Sequence, residues 1–285
     1  MSRSIKNIAV IGAGQMGSGI AQVFAQAGYR VILQDAAQPQ LDKAAANIRA
    51  SLQKLCAKGK LTEAAAQAAG HALSTTTVIA DCAAAECGVE AVTEQLAVKH
   101  EVLKALDAVL APTAIIATNT SSIGIGQLGA VTHRPSQVIG MHFMNPVPLM
   151  PCVEVIRATA TSEQTFQTIQ QLIERLGKAM VVSKDRPGFI VNRILMPMIN
   201  EAAYALQELL ASREDIDAAM KLSCNFPMGP LALADFIGLD TVVGILEVMR
   251  EGLGDAKFTP CPLLKDYMAQ GRLGRKSGKG FYDYA

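Results

Sequence analysis

The chain of 285 residues has almost no excess of charge of either sign: 26 Lys and Arg stand against 25 Asp and Glu, a net charge of +1. It therefore lacks a global field for holding nucleic acid or settling on an anionic membrane, and any anionic ligand must be held locally. The six cysteines, Cys56, Cys82, Cys87, Cys152, Cys224 and Cys261, form no Cys-x-x-Cys pair and no zinc-type or disulfide spacing, so no metal site is expected and a reducing cytoplasm is the expected location. No apolar stretch reaches the roughly 18 residues that span a bilayer. Strand-like residues begin by Ile8, leaving no room for a signal peptide. Internal repeats are absent, and the one compositional bias is a mild alanine enrichment between Ala44 and Ala85. What the chain does have is core: hydrophobic residues make up 50% and charged residues 18%, which excludes disorder, and the length predicts two domains.

The first forty residues are the most informative. Ile8-Ala9-Val10-Ile11 is an apolar run of strand length, followed at once by Gly12-Ala13-Gly14-Gln15-Met16-Gly17 and then by Ile20, Val23, Phe24 and Ala27 at helical spacing. Gly28 stops the helix, and Val31-Ile32-Leu33 begins a second strand ending at Gln34-Asp35. This β-α-β unit places Gly12 at the tight turn, Gly14 where the backbone approaches a pyrophosphate, and Gly17 where helix and strand pack closely. An acid 18 residues past Gly17 completes the dinucleotide fingerprint. Asp35 would accept hydrogen bonds from the adenosine ribose and repel a 2′-phosphate, and no Lys or Arg follows before Lys43, which favours NAD over NADP. A glycine-rich turn serving packing alone is the competing reading.

Further along, Leu41, Ala45, Ile48, Leu52 and Leu55 predict an amphipathic helix over residues 39–58. Lys54, Lys58 and Lys60 cluster at its far end beside Ser51, where cations also serve simply to complement the helix dipole. Strands are expected at residues 77–79, 89–92, 114–117, 138–141, 153–156 and 179–182, with helices at 95–110 and 162–176, continuing a doubly wound sheet. Lys184-Asp185-Arg186-Pro187-Gly188 is the clearest boundary. Beyond it the pattern is helical: from Phe189 to about Leu210 with a kink at Pro197, from Ser212 with Asp215 in a capping box, from about Leu239 to Gly252, and around Pro262 to Gln270. The expected architecture is α/β, a Rossmann-type doubly wound domain over residues 1–185 followed by an all-helical domain over 186–285. The helical domain is expected to wall the substrate cleft and to form a homodimer, because its Met- and Leu-rich helices exceed what one small core buries.

Histidine is also scarce, with four in the chain. An enzyme that oxidises an alcohol needs a group to take the hydroxyl proton, and imidazole suits that work near neutral pH. His71 and His100 fall among polar residues and His133 in a turn, whereas His142 ends the strand at 138–141, and strand carboxyl ends are where open α/β sheets hold ligands. Glu154 lies inside an apolar strand, where a carboxylate needs a partner. His142 is the natural one, with pairing to Arg157 as the alternative. A Glu–His pair fixes the tautomer and stabilises the imidazolium formed when the other nitrogen takes a proton.

Five longer stretches carry a resemblance. Residues 12–21, Asn119-Thr120-Ser121-Ser122, the run from Gly140 to Pro148, Val153-Glu154-Val155-Ile156 and the run from Arg186 to Arg193 resemble the L-3-hydroxyacyl-CoA dehydrogenases, and the likeness runs from end to end. Asp215-Ile216-Asp217, Pro227-Met228-Gly229-Pro230 and the stretch Gly274 to Tyr282 belong to it too. The resemblance implies His142 as general base held by Glu154, and Ser121 and Asn192 as polar contacts around the reacting C3 oxygen and the thioester carbonyl. It implies NAD held by Glu94, Lys99, Ser121, Asn145 and Lys276 in addition to Gly12, Ala13, Gly14, Gln15, Met16, Gly17 and Asp35. It also implies an acyl-CoA substrate whose nucleotide is bound by Ser51, Lys54 and Lys58. Phe143-Met144, Pro151-Cys152 and Phe226 depart from the family pattern, the first two near the expected acyl chain. A dehydrogenase of a free sugar acid or small 3-hydroxy acid, and a non-catalytic NAD-binding protein, are the rival readings.

Overall fold

The computed structural model describes residues 5–284. The chain divides into two compact units, Met1–Arg186 and Pro187–Ala285.

The first unit opens with β1 (Asn7–Ile11), α1 (Gln15–Gln26) and β2 (Arg30–Gln34). It continues through α2 (Gln38–Ala57), α3 (Glu63–His71), β3 (Leu73–Thr76) and β4 (Cys87–Glu90). Then come α4 (Leu96–Val109), β5 (Ile115–Thr118), α5 (Ile125–Gly129) and β6 (Val138–Phe143), and finally β7 (Cys152–Arg157), α6 (Glu163–Arg175) and β8 (Ala179–Lys184). The eight strands form one sheet in the order β3-β2-β1-β4-β5-β6-β7-β8. All neighbours are parallel except β6 and β7. The central strands β4, β5 and β6 are buried along their whole length, as a parallel sheet covered on both faces requires. One face packs on α1 through Ile20 and Phe24, and the Phe24 ring meets Tyr29 and Phe143 edge-on. Burying each such side chain contributes about 1.5–3 kcal/mol.

One expectation is corrected here. The strand at 77–79 is replaced by β3 at Leu73–Thr76, because Val31, Ile32, Leu33 and Gln34 pair with Leu73, Ser74, Thr75 and Thr76, while Ile79–Ala84 coils into a 3-10 turn. The alanine-rich stretch holds a helix of its own, α3, whose start is fixed by Thr62 Oγ1 accepting the Ala65 amide.

The second unit is helical: α7 (Val191–Gln207), α8 (Arg213–Ser223), α9 (Pro230–Ile237), α10 (Leu239–Leu253) and α11 (Pro262–Ala269). Pro197 lies inside α7, and Ser212 caps α8 by accepting the Asp215 amide. The core gathers Met196, Ile199, Leu231, Val242, Leu246 and Phe281. Two buried aspartates tie the unit together. Asp217 accepts the Leu231 and Ala232 amides at the start of α9 and the Tyr282 hydroxyl. Asp235 accepts the Phe281 and Tyr282 amides and the Tyr284 hydroxyl. Burial, with the neighbouring Asp235 carboxylate, pushes the Tyr284 phenol up to about 12, so it remains a donor throughout the neutral range.

Candidate active site

The glycine turn follows directly from β1. Gly12 has φ of +102°, and a Cβ there would stand 2.7 Å from the Ala91 carbonyl oxygen. At Gly17 a Cβ would run into the Gly12 carbonyl, so the first turn of α1 lies against the loop that precedes it. Gly14, by contrast, borders open space, and the N-terminus of α1 carries neither a side-chain cap nor an acid in its first turn. That arrangement suits a pyrophosphate. Asp35, one residue past β2, accepts the Ala13 amide at 2.7 Å through Oδ2 and the Ala37 amide at 3.0 Å through Oδ1. The carboxylate is thereby held beside the glycine turn, where a ribose hydroxyl would meet it. The donors and acceptors present fit NAD.

The sheet order reverses between β1 and β4, so the carboxyl ends of β4, β5 and β6 border the crevice where a doubly wound fold holds its ligand. Three buried polar groups stand there. His142, near the end of β6, is 6% exposed; Glu154 of β7 is fully buried. Antiparallel pairing sets the two opposite one another, and His142 Nδ1 lies 3.1 Å from Glu154 Oε2. Arg157 is engaged elsewhere, with Glu163 at 2.9 Å. Next to them Asn119, just beyond β5, accepts the Phe143 amide at 2.8 Å and so ties the end of β6 to the end of β5.

Ser121 sits in the loop after β5, and Glu94 holds that loop. Its Oε1 accepts from Thr120 Oγ1 at 2.6 Å, the Ser121 amide at 2.8 Å, the Ser122 amide at 3.0 Å and Ser122 Oγ at 2.9 Å. Burial alone would raise the Glu94 carboxyl, but the Lys99 ammonium and these hydrogen bonds outweigh it and hold the group below the usual range. Lys99 is 1% exposed. Its ammonium bridges Glu90 Oε1 at 2.8 Å and Glu94 Oε2 at 3.1 Å. Glu90, fully buried at the end of β4, also accepts from Thr118 Oγ1 and the Val92 amide. Glu90 is not among the residues expected at the site, although it carries the same signal as Glu154, a carboxylate in an apolar strand.

The remaining expected residues are placed as follows. Asn145 Oδ1 accepts from Gln15 Nε2 at 3.0 Å, joining the segment after β6 to the start of α1. Ser51, Lys54 and Lys58 share one face of α2, and neither lysine has an ion-pair partner among the described residues. In the second unit Asn192 is buried in the first turn of α7, and Lys276 lies in the turn Arg275–Ser277 with its ammonium on Asp240 at the start of α10. His133 Nδ1 meets Asp107 at 2.7 Å, ahead of the start of β6 and engaged there rather than with Glu154, and His100 is partly buried. All six cysteine thiols are free; burial, with the Glu86 charge adding to it, pushes Cys87 up to about 12, where it is inert.

A doubly wound sheet with this turn at its switch point, followed by a helical unit, defines the class of Rossmann-type dinucleotide-binding proteins. Residues 7–186 match the model of the 3-hydroxyacyl-CoA dehydrogenase NAD binding domain, and residues 188–284 that of the 3-hydroxyacyl-CoA dehydrogenase C-terminal domain. The chain belongs to the 3-hydroxyacyl-CoA dehydrogenase family, and is an NAD-dependent oxidoreductase. It is 50% identical over 284 residues to the 3-hydroxybutyryl-CoA dehydrogenase of Bradyrhizobium diazoefficiens, covering 100% of this chain and 97% of that one. It is 47% identical over 278 residues to the 3-hydroxybutyryl-CoA dehydrogenase of Clostridioides difficile, covering 97% and 99%. The crystal structure of (S)-3-hydroxybutyryl-CoA dehydrogenase from Ralstonia eutropha superposes with a TM-score of 0.95 at 46% identity, over 99% of this chain and 100% of that one. Among the described residues no helix is long and apolar enough to cross a membrane.

Proposed function

We propose that this chain interconverts (S)-3-hydroxybutyryl-CoA and acetoacetyl-CoA, with His142 as the proton-transferring group. The observation that carries the reading is the buried His142–Glu154 contact at the carboxyl end of β6. NAD, when bound, supplies the acceptor for the hydride that leaves C3. His142 takes the hydroxyl proton in oxidation and returns it in reduction. Glu154 holds the imidazole by its Nδ1 and stabilises the imidazolium while the other nitrogen, Nε2, carries the proton. Ser121 and Asn192 orient the substrate oxygens. Gly12 to Gly17, Asp35, Glu94, Asn145 and Lys276 act toward NAD, and Lys99 acts with them through Glu94. Ser51, Lys54 and Lys58 hold the phosphates of the CoA nucleotide.

The domain division we adopt is a cofactor-binding domain to residue 185 and a helical domain over 186–285, through which the chain forms a homodimer in the cytoplasm. Leu209 and Leu222, 88% and 84% exposed on the helical unit, support the dimer. The test of the substrate class is kinetic. Replacing Lys54 and Lys58 together with Ala should raise KM for 3-hydroxybutyryl-CoA about tenfold and leave KM for free 3-hydroxybutyrate unaltered. Equal turnover of the free acid by the unaltered protein, with no response to the lysines, would reassign it to small hydroxy acids.

A further inference from the structure

The charged stretch Lys184-Asp185-Arg186 closes the first unit, and one of its side chains reaches back into that unit. Asp185 follows β8 directly, and β8 is held in parallel register on β7 as far as the pair Arg157 and Lys184. Its carboxylate accepts two backbone amides from much earlier in the chain, Ile125 at 2.8 Å through Oδ1 and Gly126 at 2.7 Å through Oδ2. These are the first two amides of α5, and amides at that position have no acceptor within their own helix. Gly124, at the N-cap, has no side chain to offer, and a helix of five residues does not stand by itself. Asp185 supplies what the local sequence lacks. A Cβ on Gly126 would stand 3.3 Å from Asp185 Oδ2, so a glycine there leaves the carboxylate its place.

Two connections lead from this cap to the reacting groups. Backward along the chain, α5 is preceded by the loop that carries Ser121. Glu94 holds the front of the loop through the Ser121 and Ser122 amides, Thr120 Oγ1 accepts the Ile123 amide at 3.1 Å, and Asp185 holds the rear. Across the sheet, α5 is seated on β6. Ile125 is fully buried, and a Cβ on Gly140 would stand 2.8 Å from Ile125 Cδ1. Gly140 lies two residues before His142 on the same strand. The Asp185 carboxylate therefore fixes the chain four residues from Ser121 and, through Ile125, against the strand that bears the base.

We propose that Asp185 is a positioning residue for the reaction: by capping α5 it sets the Ser121 hydroxyl relative to His142, so that one substrate oxygen can meet both. It acts through Ser121 rather than on the substrate. The proposal rests on the reading that Ser121 orients the substrate.

The test is a double-mutant cycle. Asp185→Ala removes both acceptors; Asp185→Asn keeps the shape and one acceptor, and so guards against a failure to fold. Each is made alone and together with Ser121→Ala, and kcat and KM are measured for reduction of acetoacetyl-CoA by NADH, with Tm alongside. Ser121→Ala should lower kcat about tenfold, Asp185→Ala about three- to tenfold, and Asp185→Asn by less. The double variants should be no slower than Ser121→Ala alone, because with the hydroxyl gone there is nothing left to position. A cap that serves stability alone behaves differently: its loss lowers Tm and either spares kcat or multiplies with the loss from Ser121→Ala. Either result overturns the role of Asp185 and leaves that of Ser121 standing. A Ser121→Ala variant with unaltered kcat overturns the reading of Ser121, and the proposal with it.

Discussion

His142 owes its position to register: antiparallel pairing of β6 with β7 sets Glu154 opposite it, and a slip of one residue would turn the carboxylate to the other face. Glu154→Gln keeps the shape and removes the charge, so it should lower turnover and alter the pH–rate profile; a profile identical to that of the unaltered enzyme contradicts the pair. Glu94 offers a second residue-scale test. Because its carboxyl is held below the ordinary value of about 4.3, its contribution to stability is complete above that value and is lost as pH falls through the depressed one. Glu94→Gln should therefore show a smaller drop in Tm between pH 7 and pH 3.5 than the unaltered chain. A drop of the same size would show that Glu94 does not carry that linkage. The Glu154 partner was legible because a carboxylate inside Val153-Glu154-Val155-Ile156 demands one and a strand-end histidine was at hand. Glu90 makes the same demand, but Lys99 lies 9 and Thr118 28 residues away, on elements whose packing no local pattern announces.

At the scale of elements, the β-α-β unit was readable from hydrophobic period and glycines alone, as was α8 from its capping box. The helix α9 was not. Gly229 at its N-cap offers no side chain, and the cap comes from Asp217, 14 residues earlier on α8. A Cβ on Gly229 would stand 2.3 Å from that carboxylate, which explains the glycine of Pro227-Met228-Gly229-Pro230. Asp235 does the same for the C-terminal stretch, and Gly280 has no room for a side chain beside it. Strand β3 escaped for a different reason: it is a half-exposed edge strand without alternation, placed by its partner β2. Asp235→Ala leaves two backbone amides and the Tyr284 hydroxyl without their acceptor, and should cost about 3 kcal/mol, read as a fall in Tm of roughly 10 °C. An unchanged Tm would mean that the C-terminal stretch is held by apolar packing alone.

For the whole molecule, the near-zero charge becomes informative once the ligands are considered. NAD and CoA are both anionic, and the features available to them are local: the N-terminus of α1 with its glycine turn, and the lysines of α2. The assembly can be tested separately from the chemistry. Leu209→Asp with Leu222→Asp should convert the dimer to monomer by sedimentation velocity; a chain that is monomeric before substitution contradicts the dimer outright. The central claim, that His142 transfers the proton, is tested most directly by kcat for 3-hydroxybutyryl-CoA oxidation in His142→Gln, with NAD affinity measured alongside. The account predicts a fall of about 10²-fold or more with NAD binding retained. Turnover within a few-fold of the unaltered enzyme would contradict it.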